Sequence, residues 1–190
     1  MRTYLTIAAG FTVLAACTAG DDTANDTATT TDSPAAAAAP DPSVTATMRD
    51  ASGRDLGTLT LTDAGGGISV SGTLRGLTPG EHGMHIHMVG RCDAPTFESA
   101  GEHWNPTTRQ HGTENPQGPH FGDLPNVTVG TDSTATIQGT TAGGSLRGTT
   151  NMLLDADGAA VIIHTSRDDN RTDPSGGSGA PIACAMVSGQ

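Results

Sequence analysis

The sequence has 190 residues, of which 34% are hydrophobic and 3% aromatic, enough for one domain with a modest core and non-globular extensions. A formal net charge of −11 and a pI near 4.7, without clustered basic residues, argue against a nucleic-acid-binding protein. The 26 glycines and 11 prolines favour turns and short strands, so the composition indicates an all-β fold.

The N-terminal segment has the pattern of an export signal. A basic start precedes an apolar run from Leu5 to Ala16, which is too short to span a bilayer comfortably. The run ends in Leu14-Ala15-Ala16-Cys17, which resembles the bacterial lipobox, where the signal is cleaved before a cysteine that is then lipidated. We therefore expect a signal peptide at residues 1–16 and a lipid anchor at Cys17, which would hold an exported protein on a membrane of the bacterial cell envelope or periplasm. The alternative is an ordinary signal peptide with an incidental cysteine.

The next segment has the composition of a linker. Residues 17–43 are rich in Thr, Ala, Asp and Pro and contain no large apolar side chain to bury. We interpret them as the lipidated cysteine followed by a disordered tether, and residues 44–190 as the folded domain. A helix through the five-alanine run is the alternative, but Pro34 and Pro40 bracket that run.

From Val44 onward, apolar and polar residues alternate with the period of two that is typical of half-buried strands. About eight strand segments are expected, at residues 44–48, 59–61, 68–74, 84–89, 127–129, 134–137, 161–165 and 182–187. Glycine-rich turns separate the first four. This spacing predicts a β-sandwich or β-barrel.

Two long segments interrupt the strands, at residues 90–126 and 166–181. Loops of this length in a compact domain are usually functional or disordered. The first of them contains three of the seven histidines, which favours a functional loop.

The histidines and one aspartate indicate a metal site. His85 and His87 lie at positions i and i+2 of a predicted strand, so both imidazoles project from one face, about 7 Å apart, and can reach one ion. A His-x-His pair alone is more often incidental. Further ligand-type residues, however, follow in the long loop and in the strand at 161–165: His103, His111, His120, Asp123 and His164. Three imidazoles with a carboxylate suit tetrahedral zinc, and four imidazoles suit copper and similar transition metals.

Four segments carry these residues as successive motifs: His-Gly-Met-His-Ile-His at 82–87, Gly-Glu-His-Trp-Asn-Pro at 101–106, Gly-Pro-His-Phe-Gly-Asp-Leu at 118–124 and Val-Ile-Ile-His at 161–164. In order, spacing and chemical type they resemble the metal-site motifs of copper-zinc superoxide dismutases, and the resemblance covers essentially residues 44–190. It implies an eight-stranded Greek-key β-barrel or sandwich of immunoglobulin-like type, with two long functional loops. It also implies an oxidoreductase that converts superoxide to O₂ and H₂O₂ by cycling a copper ion bridged through a histidine to zinc.

Carried over residue by residue, the resemblance implies the following copper ligands: His85, His87, His103 and His164. The implied zinc ligands are His103, His111, His120 and Asp123. His103 would be the bridging, catalytic histidine, and His82 would be structural. Asp168 would join His85 to His111 from outside the metal site and orient both rings. The alternative for Asp168 is a solvated loop acid.

The resemblance also implies a disulfide between Cys92 and Cys184, tying the histidine-bearing loop to the last strand. An oxidising compartment outside the cytoplasm permits that bond. Two free thiols are the alternative.

One position departs from the family. The resemblance places an arginine beside the copper, three residues before the second disulfide cysteine, and this chain has Pro181 there. From Val44 onward, eight arginines stand against fifteen acidic residues, a net charge of −7, so the approach of superoxide depends on local positive potential. Arg167 or Arg171 in the second long loop would be the substitutes by sequence proximity.

Because of this departure, two functions of different classes stay open. The first is a superoxide dismutase, with a reduced rate for lack of the arginine. The second is an exported copper- and zinc-binding protein that acts as a metal buffer with little catalysis. A zinc hydrolase is the third, but it needs an open water position on zinc, and the inferred zinc site already has four protein ligands. The oligomeric state, monomer or homodimer, is left open by the sequence.

Overall fold

The computed structural model describes residues 43–189. The predicted signal peptide, Cys17 and nearly all of the tether lie outside the described residues, so those predictions stay predictions. The described residues form nine β-strands, in chain order β1 (Ser43–Asp50), β2 (Asp55–Asp63), β3 (Ile68–Arg75), β4 (Gly80–His82), β5 (Met84–His87), β6 (Val127–Val129), β7 (Thr134–Thr140), β8 (Ala159–His164) and β9 (Pro181–Val187). The described part of the chain adds one 3₁₀ turn, Glu98–Ala100, and contains no helix that is long and apolar enough to cross a membrane.

The strands form two antiparallel sheets, the larger of which is curled. Seven of them lie in the order β5-β8-β9-β1-β2-β3-β7, while β4 pairs with β6. Alternation places one side of each strand in the core, as in β7, where Ala135 and Ile137 are buried and their neighbours point outward. The all-β prediction is confirmed, and β1 begins at Ser43, one residue before the predicted domain boundary.

Two strands are buried on both faces, and these strands position the site. In β8, Ala159, Val161 and Ile163 pack into the main core, whereas Ala160 and Ile162 pack on the other face beneath the long loop. In β5, Met84 and Ile86 likewise belong to the main core, which turns His85 and His87 to the outer face. The histidines therefore lie outside the barrel core, under the loops that cover it.

Within residues 43–189 the structure has nine strands, where eight were predicted. The additional strand, β4, is three residues long and lies in the connection between the third and fourth predicted strands. Gly83 separates β4 from β5: its N–H donates to the Ser166 carbonyl at 2.8 Å, and its carbonyl accepts from His164 N–H at 2.9 Å. A β-carbon at Gly83 would lie 2.7 Å from the Ser178 β-carbon, so only glycine allows this approach. At this residue the chain passes from one sheet to the other.

A third long connection, residues 141–158, was not predicted. It joins β7 to β8 and buries Leu146 and Leu153 against the main core. Its backbone also closes on itself, because Ser145 and Met152 form an isolated bridge. The segment is therefore packed against the core although it contains none of the named strands.

Candidate metal centre

The backbone brings the predicted ligands together from three parts of the chain. His85 and His87 come from β5, and His164 ends the neighbouring strand β8, whose Ile162 lies opposite His85. The long loop returns across β5, where Trp104 N–H donates to the Ile86 carbonyl at 2.8 Å. As a result, the residue before Trp104, His103, forms an isolated bridge with His87.

The first cluster, called here the four-histidine set, contains His85, His87, His103 and His164. One ring nitrogen from each lies within 4.8 Å of the others, and all four side chains are buried. Three of these nitrogens, His85 Nδ1, His87 Nε2 and His164 Nε2, are buried without a hydrogen-bond partner. Buried polar atoms are nearly always satisfied, so nitrogens left unpaired and facing one another fit a bound cation.

The second cluster, called here the histidine-aspartate set, contains His103, His111, His120 and Asp123. Asp123 Oδ1 lies 3.0 Å from His103 Nδ1, 2.9 Å from His111 Nδ1 and 3.3 Å from His120 Nδ1. Its other oxygen accepts the backbone N–H groups of Gly112 and His120 at 2.8 and 2.9 Å. Burial raises the pKa of Asp123, but its histidine and backbone partners outweigh burial and hold the pKa well below its usual range.

His103 belongs to both sets. Its Nδ1 faces Asp123, while its ring centroid lies 4.0 Å from that of His85 and 5.0 Å from that of His87. One imidazole therefore stands between two potential ion positions with a nitrogen for each. The donor chemistry fits a closed tetrahedral zinc site beside an all-imidazole copper site.

The remaining nitrogens of the ligand rings are fixed by acceptors outside the sets. His85 donates Nε2–H to Asp168 at 2.6 Å, and His111 Nε2 lies 3.1 Å from the same carboxylate. His87 and His164 donate Nδ1–H to the carbonyls of Gly101 and Gly179 at 2.7 and 2.9 Å. These bonds select the tautomer that leaves the unpaired nitrogens free to bind a metal.

The protonation of the rings differs between the two sets. Burial lowers the pKa of His85 and of His87 to about 3, and that of His164 to about 4. These three imidazoles are therefore neutral at pH 7, which is the form that binds metal ions. Burial also pulls the pKa of His111 down, but its hydrogen bonds to Asp123 and Asp168 outweigh burial and raise it to about 9.

Asp168 is buried, which rules out the alternative of a solvated loop acid. Its backbone is held by a residue that the sequence did not reveal. Asn126 donates its side-chain N–H to the Asp168 carbonyl at 2.9 Å and accepts the Asp168 N–H at 2.8 Å. Nothing in the sequence near Asn126 indicates this pairing, because the two residues are 42 positions apart.

Two further predicted positions lie beside the sets. His82 is buried but belongs to neither set: its ring nitrogens face the carbonyls of His164 and Thr78 at 2.7 and 2.9 Å. Cys92 and Cys184 form a disulfide with a Cα–Cα distance of 5.8 Å. It ties the long loop to β9 on the same outer face of the sheet as the histidines, because Cys184 lies opposite Ile162 and Ile162 lies opposite His85.

Above the four-histidine set lies an open cavity of about 440 Å³. His87, His103 and His164 line it, together with His120 and loop residues. Pro181 starts β9 opposite His164 and is not among the lining residues. Arg167 and Arg171 are not among them either: both are exposed and paired, with Glu81 at 3.2 Å and with Glu114 respectively. The expectation that one of these two arginines stands in at the site is therefore wrong.

Comparisons with known proteins agree with this geometry. Residues 56–187 match the family model described as copper/zinc superoxide dismutase. The chain is 40% identical over 148 residues to a Cu-Zn superoxide dismutase of Caulobacter vibrioides, covering 76% of this chain and 85% of that protein. It is also 43% identical over 125 residues to the superoxide dismutase-like protein YojM of Bacillus subtilis, covering 65% of this chain and 64% of that protein.

Solved structures give the same result. The crystal structure of a superoxide dismutase-like protein from Bacillus subtilis superposes with a TM-score of 0.71 at 38% identity, covering 75% of this chain and 97% of that one. The Cu/Zn superoxide dismutase of Brucella abortus superposes with a TM-score of 0.60 at 25% identity, covering 77% and 99%. The chain carries two adjoining ligand sets on such a barrel, and the family model matches most of the length of the chain. This chain therefore belongs to the copper/zinc superoxide dismutase family.

Proposed function

We propose that this protein is a superoxide dismutase, which converts two superoxide anions and two protons into one O₂ and one H₂O₂. The observation that carries the proposal is that an open cavity is lined by His87 and His164, whose unpaired Nε2 atoms belong to the four-histidine set. When bound, copper supplies a one-electron change of oxidation state, and zinc, which has no redox chemistry, supplies fixed positive charge. A small anion that enters the cavity meets the rings of His87 and His164 directly.

Residues around the site orient the ligand rings, and one ring, that of His103, can carry a proton. Asp168 and the carbonyls of Gly101 and Gly179 orient three rings of the four-histidine set, so that set need not rearrange to bind metal. His103 is held at Nδ1 by the histidine-aspartate set. Its Nε2 is thus the atom that can carry a proton towards the cavity and release it there.

A metal buffer is the second candidate, and Pro181 is the observation that favours it. In this family the corresponding arginine draws in the anion, and a domain charge of −7 makes that help more necessary. A buffer needs ligands but no guided approach. It would bind copper and zinc stoichiometrically and consume superoxide no faster than a copper chelate.

A superoxide assay on protein loaded with both metals separates the two candidates. Copper- and zinc-loaded protein is compared with zinc-only protein and with a copper chelate at equal copper concentration. We expect consumption well above both controls, and a faster rate in Pro181→Arg, which adds positive charge beside His164. Consumption equal to that of the chelate in wild type and in Pro181→Arg would reject the dismutase and leave the buffer.

A further inference from the structure

The cavity above the four-histidine set contains one cationic side chain, Arg109. Of the arginines in the described residues, only Arg109 lines this cavity, and the chain contains no lysine. Arg109 comes from the long loop, six residues after His103, and not from the strand end where the family has its arginine. Arg109 is an exposed residue and lines the wall of the cavity.

Two sets of hydrogen bonds hold Arg109 in place. Asn105 donates from its side chain to the Arg109 carbonyl at 2.8 Å and accepts the Arg109 N–H at 3.0 Å, which closes the turn between them. The guanidinium itself donates to the Gly118 carbonyl. A guanidinium has five N–H donors in a rigid fork, so this one bond leaves others for an anion in the cavity.

The other charges of the cavity wall are negative. Glu102 and Asp173 also line it. Asp173 accepts the backbone N–H of His111 at 2.7 Å and lies 3.8 Å from His120 Nε2, so contacts within the loop hold its side chain. Among the contacts of the described residues, no such bond restrains the side chain of Glu102. Without Arg109, the lining side chains would hold two acidic groups and no cationic one outside the ligand rings.

We infer that Arg109 is the residue that draws the substrate anion into the cavity and positions it, in the role that Pro181 leaves vacant. The inference rests on the proposed function, since it names a residue that serves the same site. A cationic group on the wall of a narrow cleft raises the local concentration of anions, and copper/zinc superoxide dismutases are themselves a known example of such steering. The effect weakens with salt.

Azide binding to the copper- and zinc-loaded protein tests the inference without requiring turnover. Azide is a small anion, and its binding to copper is followed by absorption. In Arg109→Gln we expect the azide dissociation constant to rise about tenfold, in line with the lower end of steering effects in charged clefts. In Glu102→Gln, which removes a negative charge from the same wall, we expect tighter binding. Arg167→Gln is the matched control, because it removes an arginine that is paired with Glu81 away from the cavity.

Superoxide consumption is measured on the same samples at several ionic strengths. Wild type should slow as salt rises, Arg109→Gln should be slower with a shallower salt dependence, and Arg109→Lys should recover most of the azide affinity and the salt dependence. Equal azide affinities in Arg109→Gln and Arg167→Gln would overturn the inference. The inference would also be overturned if both Arg109→Gln and Arg109→Lys lost copper or zinc, because Arg109 would then stabilise the loop rather than bind the anion. A wild type that binds azide through Arg109 but consumes no superoxide would instead reject the proposed function alone.

Discussion

Asp168 bridges the two ligand sets, and a substitution that exchanges one of its oxygen atoms should break this bridge. Asp168→Asn keeps the size of the side chain but replaces one carboxylate oxygen by an NH₂ group. In the native protein the Asp168 carboxylate accepts hydrogen bonds from His85 at 2.6 Å and from His111 at 3.1 Å. An asparagine can accept one of these bonds, and its NH₂ group then faces an N–H donor of the other ring.

The size of the effect follows from which ring loses its acceptor. Loss of an outer hydrogen bond to a metal-binding histidine lowers metal affinity about 10- to 100-fold, or roughly 1.4 to 2.8 kcal/mol. The longer bond, to His111, is the one we expect to fail. Zinc affinity should therefore fall by this factor, and copper affinity should fall less, because His87 and His164 keep their carbonyl acceptors.

Competition with a chelator of known affinity measures both metals. Asp169→Asn is the matched control: it is the adjacent residue, it is exposed, and an asparagine can still accept the bonds that Asp169 accepts from Arg171 N–H and Thr172 N–H. Equal zinc affinities in Asp168→Asn and Asp169→Asn would refute the reasoning. So would a fall in copper affinity larger than the fall in zinc affinity.

Three further predictions concern the loop, the protons and the sheet crossing. Replacing Cys92 and Cys184 by serine should lower the free energy of unfolding by roughly 4 to 5 kcal/mol, because the disulfide spans 92 residues. Urea denaturation of the metal-free protein measures this change, and a decrease of less than about 1 kcal/mol would contradict the prediction. Since the pKa of His111 is raised to about 9, His111 carries a proton at pH 7 that zinc must displace, so zinc affinity should rise with pH up to about 9. Calorimetry in buffers of different protonation enthalpy should detect that released proton, and identical enthalpies would contradict the prediction. Gly83→Ala should destabilise the protein by about 1 to 3 kcal/mol, because its β-carbon would lie 2.7 Å from that of Ser178. Gly148→Ala, which meets only the Ser145 hydroxyl at 3.2 Å, is the control, and equal melting temperatures would count against the clash.

The fold class and the positions of the ligands could be predicted because both depend on short-range patterns. The alternation in β1, β3 and β7 is visible within each short segment, and the His-x-His spacing of β5 fixes one face of a strand. Order and spacing of the histidine motifs then supplied the family. The disulfide was predicted from the same resemblance, and the structure contains it.

The features that were missed depend on contacts between distant parts of the chain. Strand β4 is too short to show a period, and its separation from β5 depends on the approach of Ser178, which is 95 positions from Gly83. Asn126 was missed because an isolated asparagine before a strand carries no local signal.

The choice of arginine failed for a related reason. Arg167 and Arg171 were favoured because they follow His164 closely, but proximity along the chain does not place a side chain in a cavity. Both lie in a loop whose exposed acidic neighbours pair with them instead. Arg109 precedes His164 by 55 positions, and it reaches the cavity because the long loop folds back across β5.

The two ligand sets are joined twice, and this double connection bears on what the protein does. His103 belongs to both sets, and Asp168 bonds one ring of each from outside. A change at the histidine-aspartate set, such as displacement of the proton on His111, therefore reaches His85 through a single carboxylate. Two independent sites would serve a metal buffer equally well and would need neither connection. Enforced coupling is useful where one ion must change its charge repeatedly while its ligands stay in place, which is the requirement of a dismutase.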